Sequence, residues 1–250
     1  MGRAGALGAV VCGLAVAGLA LDILVRPVRR ASAALVWAGE KPLRVAVQDT
    51  APAAPGGVRT LAADFAWLRM QQKWEHRDGP GTAFYVRLAT DLDPGMVWFW
   101  KNGARILAFD IPVWRLSSAA VGRAVPPSIE RRVRREQAAM ALRLLERAMH
   151  HHPVSAELWM ERAAIELFAL GEIGAAAESY RRAWELPGGP PIAARLRGVL
   201  LMRLGLRTEA LAWYRRLLPQ LLRDDDLEGA AMARARIREL EAEMGGRAAP

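Results

Sequence analysis

The sequence contains a single cysteine, Cys12, and only three lysines among its 35 basic residues. One cysteine cannot form an intrachain disulfide framework, and it is too few for a cysteine-rich zinc site. The remaining basic residues are 32 arginines, a bias typical of a GC-rich genome, so part of the formal net charge of +9 reflects codon usage. Disulfide-stabilised scaffolds and zinc-ribbon folds are therefore excluded.

Motifs that carry catalytic chemistry are also missing. The chain has no phosphate-binding loop, dinucleotide fingerprint, nucleophile elbow or metalloprotease motif. The two glycines of residues 187–191 are surrounded by prolines, which lack the backbone N–H groups that bind phosphate, so this segment is predicted to be a turn. Apolar residues make up 52% of the chain, enough for a sizeable core. The sequence therefore predicts a folded, non-catalytic protein without a cofactor.

An apolar segment lies near the N-terminus. Residues 4–21 carry no charge, and Asp22 is the only charged residue between Arg3 and Arg26. About eighteen such residues are enough to cross the hydrocarbon core of a bilayer as a helix. We therefore predict a single-pass membrane anchor within residues 1–30, with residues 4–25 in the membrane. A cleavable signal peptide is the alternative, favoured by the small residues at positions 15 and 17.

An internal repeat is the clearest pattern in the chain. Leucine-glycine, alanine and tyrosine-arginine-arginine at positions 170–171, 176 and 180–182 recur 34 residues later, at 204–205, 210 and 214–216. This pattern resembles the tetratricopeptide repeat (TPR), a helix–turn–helix unit of about 34 residues. The resemblance implies that each glycine ends a first helix in a left-handed cap. It also implies that the alanine permits close helix packing and that the tyrosine fills the space between units.

The same frame predicts an all-α, TPR-like solenoid over residues 61–222. About four units are expected, at residues 61–94, 96–153, 155–188 and 190–222, and the prolines at 112, 126 and 127 predict an interruption of the second unit over residues 110–128. Residues 223–250 are predicted to be a capping helix and tail, because a solenoid needs a polar terminal helix. Residues 31–60, whose Pro/Gly/Ala-rich part lacks periodicity, are predicted to be a linker.

The orientation of the anchor depends on a second resemblance. Three arginines come after the apolar segment and one precedes it, which by the positive-inside rule favours a cytoplasmic body, although short N-terminal anchors also export the domain attached to them. Residues 63–69, Ala-Asp-Phe-Ala-Trp-Leu-Arg, resemble a group of bacterial membrane-anchored TPR proteins. In that group the repeats are expected outside the cytoplasm. This resemblance implies a bacterial inner-membrane protein with an extracytoplasmic repeat domain.

Two runs of like residues could bind metal ions, but both are predicted to be helix ends. The three histidines at 150–152 precede Pro153, and neighbouring helical residues point about 100° apart, so at most two could reach one ion. Partial positive charge also suits the last turn of a helix. The three aspartates at 224–226 precede a helix, where aspartate is favoured as a cap. We therefore predict no metal site.

The TPR resemblance implies that peptide segments bind to a concave face lined by the first helices. Projected onto this frame, the predicted partner-binding residues are Lys101, Asn102, Arg105, Glu161, Arg162, Arg195 and Arg203. The set is net basic and so suits an acidic segment or a carboxyl terminus, because arginine can pair with carboxylate through two hydrogen bonds. We therefore predict a membrane-anchored scaffold for protein partners, with no nucleic acid bound.

A cytoplasm-facing adaptor that binds anionic lipid or nucleic acid is the alternative. Its strongest feature is the basic run at residues 131–135, which Glu130 and Glu136 flank. Such flanking is typical of a solvated helix start, so the run is predicted to be structural.

Overall fold

The computed structural model describes residues 56–119 and 124–246; the predicted membrane anchor and most of the predicted linker lie outside these ranges. The described residues form α-helices and two π-helical segments with no β-strand among them, which confirms the all-α prediction for this part of the chain. None of the helices in these ranges is both long and apolar enough to cross a membrane. The described residues fall into two compact units that divide between Pro94 and Gly95.

The first unit is a helical hairpin of α1 (Gly56–Glu75) and α2 (Gly79–Leu92). Helix α1 begins inside the segment that the sequence predicted to be a linker. Asp78 caps α2, because its side chain accepts a hydrogen bond from the Gly81 amide at 2.9 Å, and this bond lowers the pKa of the Asp78 carboxyl. The Nε of Arg59 donates to the Leu92 carbonyl at 3.3 Å and joins the outer ends of the two helices.

The second unit contains three further helix pairs and a terminal helix within the described residues. The first pair is α3 (Val97–Arg105), a first π segment (Ile106–Asp110) and α4 (Ile111–Ala119), followed by α5 (Pro127–His151). The next pair is α6 (Ala156–Ala164) with a second π segment (Ile165–Leu170), followed by α7 (Ile173–Glu185). The last pair is α8 (Pro191–Arg203) and α9 (Arg207–Arg223), and α10 (Leu227–Gly246) packs against α9.

The prediction that residues 110–128 interrupt the second repeat is wrong for residues 110–119, which are helical. The helix continues through Pro112 as far as Ala119. In the first π segment the Ile111 amide donates to the Ile106 carbonyl, five residues back. This wider turn relieves the clash that a proline ring makes with the carbonyl four residues before it in an α-helix. Pro127, by contrast, begins α5, where the fixed φ of proline suits the first helical position.

The residues that carry the repeat pattern lie where the pattern predicted. Gly171 and Gly205 end the first helices with φ angles of 71° and 73°, in the left-handed region. The alanines five residues after each glycine are fully buried. Tyr180 packs with buried residues of α8, and Tyr214 packs with buried residues of α10, so each tyrosine fills the space next to the following helix.

The second π segment adds one residue to the third helix pair. The Glu172 amide donates to the Glu166 carbonyl, six residues back, whereas the equivalent Leu206 amide donates to the Leu201 carbonyl, five residues back. The two donors are 34 residues apart and the two acceptors are 35 residues apart. After the glycine cap, a residue of the third pair therefore corresponds to the residue 34 positions later in the fourth pair. Before the cap, each residue of α6 corresponds to the residue 35 positions later on α8, and not to the one 34 positions later.

The histidine and aspartate runs both lie at helix ends, as predicted. Helix α5 ends at His151, whose ring stacks on Trp100 with centroids 5.8 Å apart. At the other run, Asp226 caps α10 by accepting a hydrogen bond from the Gly229 amide at 2.8 Å. Asp225 adopts a left-handed φ of 56° in the turn before it. Both runs thus have structural explanations.

Candidate protein-interaction surface

The seven predicted partner-binding residues all lie on first helices, but the structure separates them into two groups. Those on α3 and α6 bond to neighbouring parts of the fold, whereas those on α8 make no ion pair within the described residues.

Ion pairs between α3 and α6 occupy the predicted residues of the second and third repeats. The Lys101 Nζ lies 2.6 Å from the Glu157 carboxylate. Arg105 donates to both carboxylate oxygens of Glu161, at 2.7 and 3.2 Å, and these bonds raise the pKa of Arg105. The Glu161 side chain is only 3% exposed, so its prediction as an exposed binding residue is wrong. The positive charge predicted for this face is largely neutralised here.

The other predicted residues of these repeats also make internal contacts. Arg162 donates to Glu166 at 2.8 Å, lies 3.7 Å from Glu146 on α5, and stacks over Trp159. Asn102 donates to the Trp98 carbonyl, one turn back on α3, at 2.8 Å. These contacts link both side chains to neighbouring parts of the fold.

Arg195 and Arg203 on α8 differ from the other predicted arginines. Neither has an ion-pair partner among the described residues, and Arg203 is exposed. Arg195 is half-buried, and its Nε is buried without a hydrogen-bond acceptor in the described structure. The charges of both side chains are therefore not neutralised by a carboxylate of the described residues.

Apolar residues beside these two arginines were not predicted from the sequence. Ile192 and Val199 have exposed fractions of 45% and 50%, and Leu196 is half-buried. Ile192, Leu196, Val199 and Arg203 follow one another at spacings of three or four residues, and Arg195 lies three residues after Ile192, so all five lie on one side of the helix. We call these five residues the α8 face.

This face has no signature in the sequence, because apolar residues occur on every side of α8. A helix with that pattern is expected to be wholly buried. Instead α8 packs against α7 and α9 and keeps one apolar side in solvent.

The equivalent side of α6 is covered by another helix. At the offset of 35, Ile192 matches Glu157 and Leu196 matches Glu161, the two carboxylates that pair with α3. Helix α3 packs against α6 along this side. On α8 aliphatic side chains replace both carboxylates; Ile192 is exposed, and Leu196 packs partly against the buried cluster that includes Ala163 of α6. The α8 face is therefore the aliphatic and only partly covered equivalent of this helix-docking surface.

The opposite side of α8 is held rigidly. Arg197 donates to the Ala177 carbonyl at 3.2 Å and to Glu209 at 2.9 Å, and its guanidinium lies over the Trp213 ring at 4.7 Å. Gly198 lies so close to Tyr214 that a Cβ would be 2.5 Å from the ring. These contacts to α7 and α9 fix the rotation of α8 and keep the α8 face turned outward.

Two other candidate sites offer less. In the basic run, Arg134 pairs with Glu130 at 2.8 Å and Arg132 lies 3.9 Å from Glu136, as expected for a solvated helix start. A polar groove of about 560 Å³ between residues 186–189 and α9 is lined by charges of both signs. Within residues 56–119 and 124–246, no three His, Cys, Asp or Glu side chains are grouped closely enough to hold a metal ion.

Comparisons with known proteins give no assignment by sequence. No protein-family model matches the chain, and no curated protein matches it significantly. Among solved structures it is similar to an assembly chaperone of RpL4, Acl4, at 17% identity and a TM-score of 0.30, over 89% of this chain and 99% of the other. It is also similar to PilW, a type IV pilus biogenesis factor, at 15% identity and a TM-score of 0.31, over 84% of this chain and 98% of the other. At these scores the description of the fold rests on the helices of this chain alone.

Proposed function

We propose that the protein is a non-catalytic scaffold that holds protein partners on the α8 face. Residues 4–25 anchor it in a bacterial inner membrane, and the helical domain lies outside the cytoplasm.

The observation that carries this proposal is the exposure of Ile192 and Val199 on a helix whose other side is fixed. A group of exposed apolar side chains with charged neighbours is typical of a protein-interaction site. Because α8 is already held by α7 and α9, a partner that binds there loses little free energy to ordering the surface. The α3–α6 side, whose charges are paired internally, serves the fold instead.

Support for the membrane location comes from the sequence. The uncharged stretch of residues 4–21 is long enough for a bilayer-spanning helix. The extracytoplasmic orientation rests on the resemblance of residues 63–69 to bacterial membrane-anchored TPR proteins. Reporter domains active only in the cytoplasm or only in the periplasm, fused after Pro250, test this part. We expect activity from the periplasmic reporter, and activity from the cytoplasmic one alone would contradict the proposed orientation.

Photo-crosslinking in living cells tests the binding surface. The full-length chain would carry a benzophenone amino acid in place of Val199 on α8 or, as a control, in place of Ala212, which is exposed on the second helix α9. We expect the Val199 position to give a discrete crosslinked protein that the Ala212 position does not. Equal products at both positions, or none at Val199, would refute the assignment of the α8 face.

A further inference from the structure

From the α8 face we infer, on the basis of the proposed function, that the partner segment is an acidic amphipathic α-helix. It docks on the α8 face through aliphatic residues, and its carboxylates pair with Arg195 and Arg203.

The spacing on α8 favours a helix as the ligand. Ile192, Leu196, Val199 and Arg203 lie at intervals of four, three and four residues, so they form a ridge along the helix. At 1.5 Å per residue this ridge is about 16 Å long, which matches about three turns of a second helix. Ridges of this kind pack into the grooves of another helix. An extended peptide could not add to α8 by backbone pairing, because backbone hydrogen bonds are already satisfied within an α-helix.

The internal contact between α3 and α6 provides the template. There, carboxylates of α6 receive the basic side chains Lys101 and Arg105 of α3. The α8 face has aliphatic side chains at both carboxylate positions and places Arg195 beside them. A helix that fits α8 therefore needs aliphatic residues where α3 carries its basic ones.

The charges on the face require acidic residues in the ligand. Arg195 and Arg203 are eight residues apart, about 12 Å along the axis, so carboxylates seven or eight residues apart on a docked helix would reach both. Neither arginine has an ion-pair partner among the described residues, and carboxylates of the ligand would provide one for each. A basic helix would instead place like charges beside both arginines.

Two synthetic helical peptides test the inference. Both have about 18 residues, are held helical by lactam bridges, and share one leucine stripe; one carries glutamates eight residues apart and the other carries lysines there. Fluorescence anisotropy with the purified full-length chain in detergent micelles gives both affinities. We expect the glutamate peptide to bind at least about tenfold more tightly, because each exposed ion pair changes the affinity a few-fold.

Charge reversal locates the effect. The double variant R195E/R203E should bind the lysine peptide more tightly than the glutamate peptide. The matched control is R131E/R135E, which reverses two exposed arginines of α5 and the same amount of net charge. It should keep the original preference. Equal binding of both peptides, or the same reversal in the control, would overturn the inference.

The crosslinked segment distinguishes this inference from the proposed function. If the benzophenone at position 199 captures a protein segment with an amphipathic pattern and acidic flanks, both stand. Capture of a partner segment without acidic residues keeps the scaffold function and overturns the acidic helix. Capture of a second copy or of residues 1–55 overturns it as well. Binding to phosphatidylglycerol vesicles that depends on Arg195 and Arg203, without a peptide preference, would assign the face to lipid.

Discussion

Replacing Arg105 with glutamine should loosen α6 without weakening partner binding. The Arg105 side chain is 61% exposed, but the Glu161 carboxylate to which it donates is almost fully buried. An unpaired buried charge costs about 3–5 kcal/mol, and a fully exposed ion pair contributes about 1 kcal/mol or less. Because only one member of this pair is buried, we expect Arg105→Gln to cost about 2 kcal/mol, between those limits.

Hydrogen exchange measured by mass spectrometry can test this locally, without a two-state transition of the whole chain. A loss of about 2 kcal/mol corresponds to about 30-fold faster exchange of α6 amides. Lys101→Gln is the control, since its partner Glu157 is mostly exposed. Its effect should stay below about fivefold, the equivalent of about 1 kcal/mol. The double variant Arg105→Gln/Glu161→Gln should regain much of the protection, because it leaves no buried charge.

Two results would refute this reasoning. If the Arg105 and Lys101 variants exchange at the same rate, the burial of Glu161 does not govern the strength of the pair. If Arg105→Gln leaves exchange unchanged but abolishes crosslinking at position 199, Arg105 contacts the partner, as the sequence alone predicted.

Three further substitutions test the packing and electrostatics of the last two helix pairs. Gly198→Ala should lower the free energy of unfolding by about 2 kcal/mol, because the added methyl overpacks against Tyr214. Adding Tyr214→Leu to this variant should restore part of the lost stability. If thermal melts show that the destabilisations by the two substitutions simply add, the contact does not cause the loss. Gly205→Ala should cost about 1 kcal/mol from its left-handed φ alone, because nothing lies within 4 Å of the added methyl, and Gly205→Asn should cost less in the same assay. The hydrogen bond from Arg181 lowers the pKa of Glu178 from 4.5 to about 2, so the stabilisation by Glu178 is complete above about pH 5 and is lost between about pH 5 and 2. Since Glu178 is 44% exposed, Glu178→Gln should cost only about 0.5–1 kcal/mol at neutral pH, and urea midpoints of variant and parent should converge as the pH falls; a constant difference would contradict this.

Local signals predicted the parts of the fold that depend on backbone conformation. Gly171 and Gly205 were recognisable as caps because few other residues adopt a left-handed φ without strain. Tyr180 and Tyr214 were predictable from the same spacing, since the resemblance assigns them to the space between units. Four helix pairs and a terminal helix could thus be expected within the described residues before any contact was known.

The sequence could not predict which side chains of a first helix reach solvent. With a constant offset of 34, Glu161 is assigned the same repeat position as Arg195. The extra residue in the second π segment gives it the same position as Leu196 instead. One residue rotates a helix by about 100°, enough to exchange a buried side for an exposed one. The prediction of a helix break at Pro112 was wrong for a related reason. A proline inside a sequence predicts the end of a helix, but here a π turn comes just before it and the helix continues. Both errors come from i→i+5 bonding, which has no short sequence signature.

The second π segment also affects how this repeat can change in length. Its extra residue widens one turn and leaves the helix on either side in place. Loss of the codon for Phe168, an exposed member of that turn, would convert the segment to ordinary α-helix while preserving both flanking surfaces. In evolutionary terms this is a position where a single codon can be gained or lost at small cost. Alignments that impose a constant 34-residue period would therefore misplace every residue of α6 while leaving α7 correct.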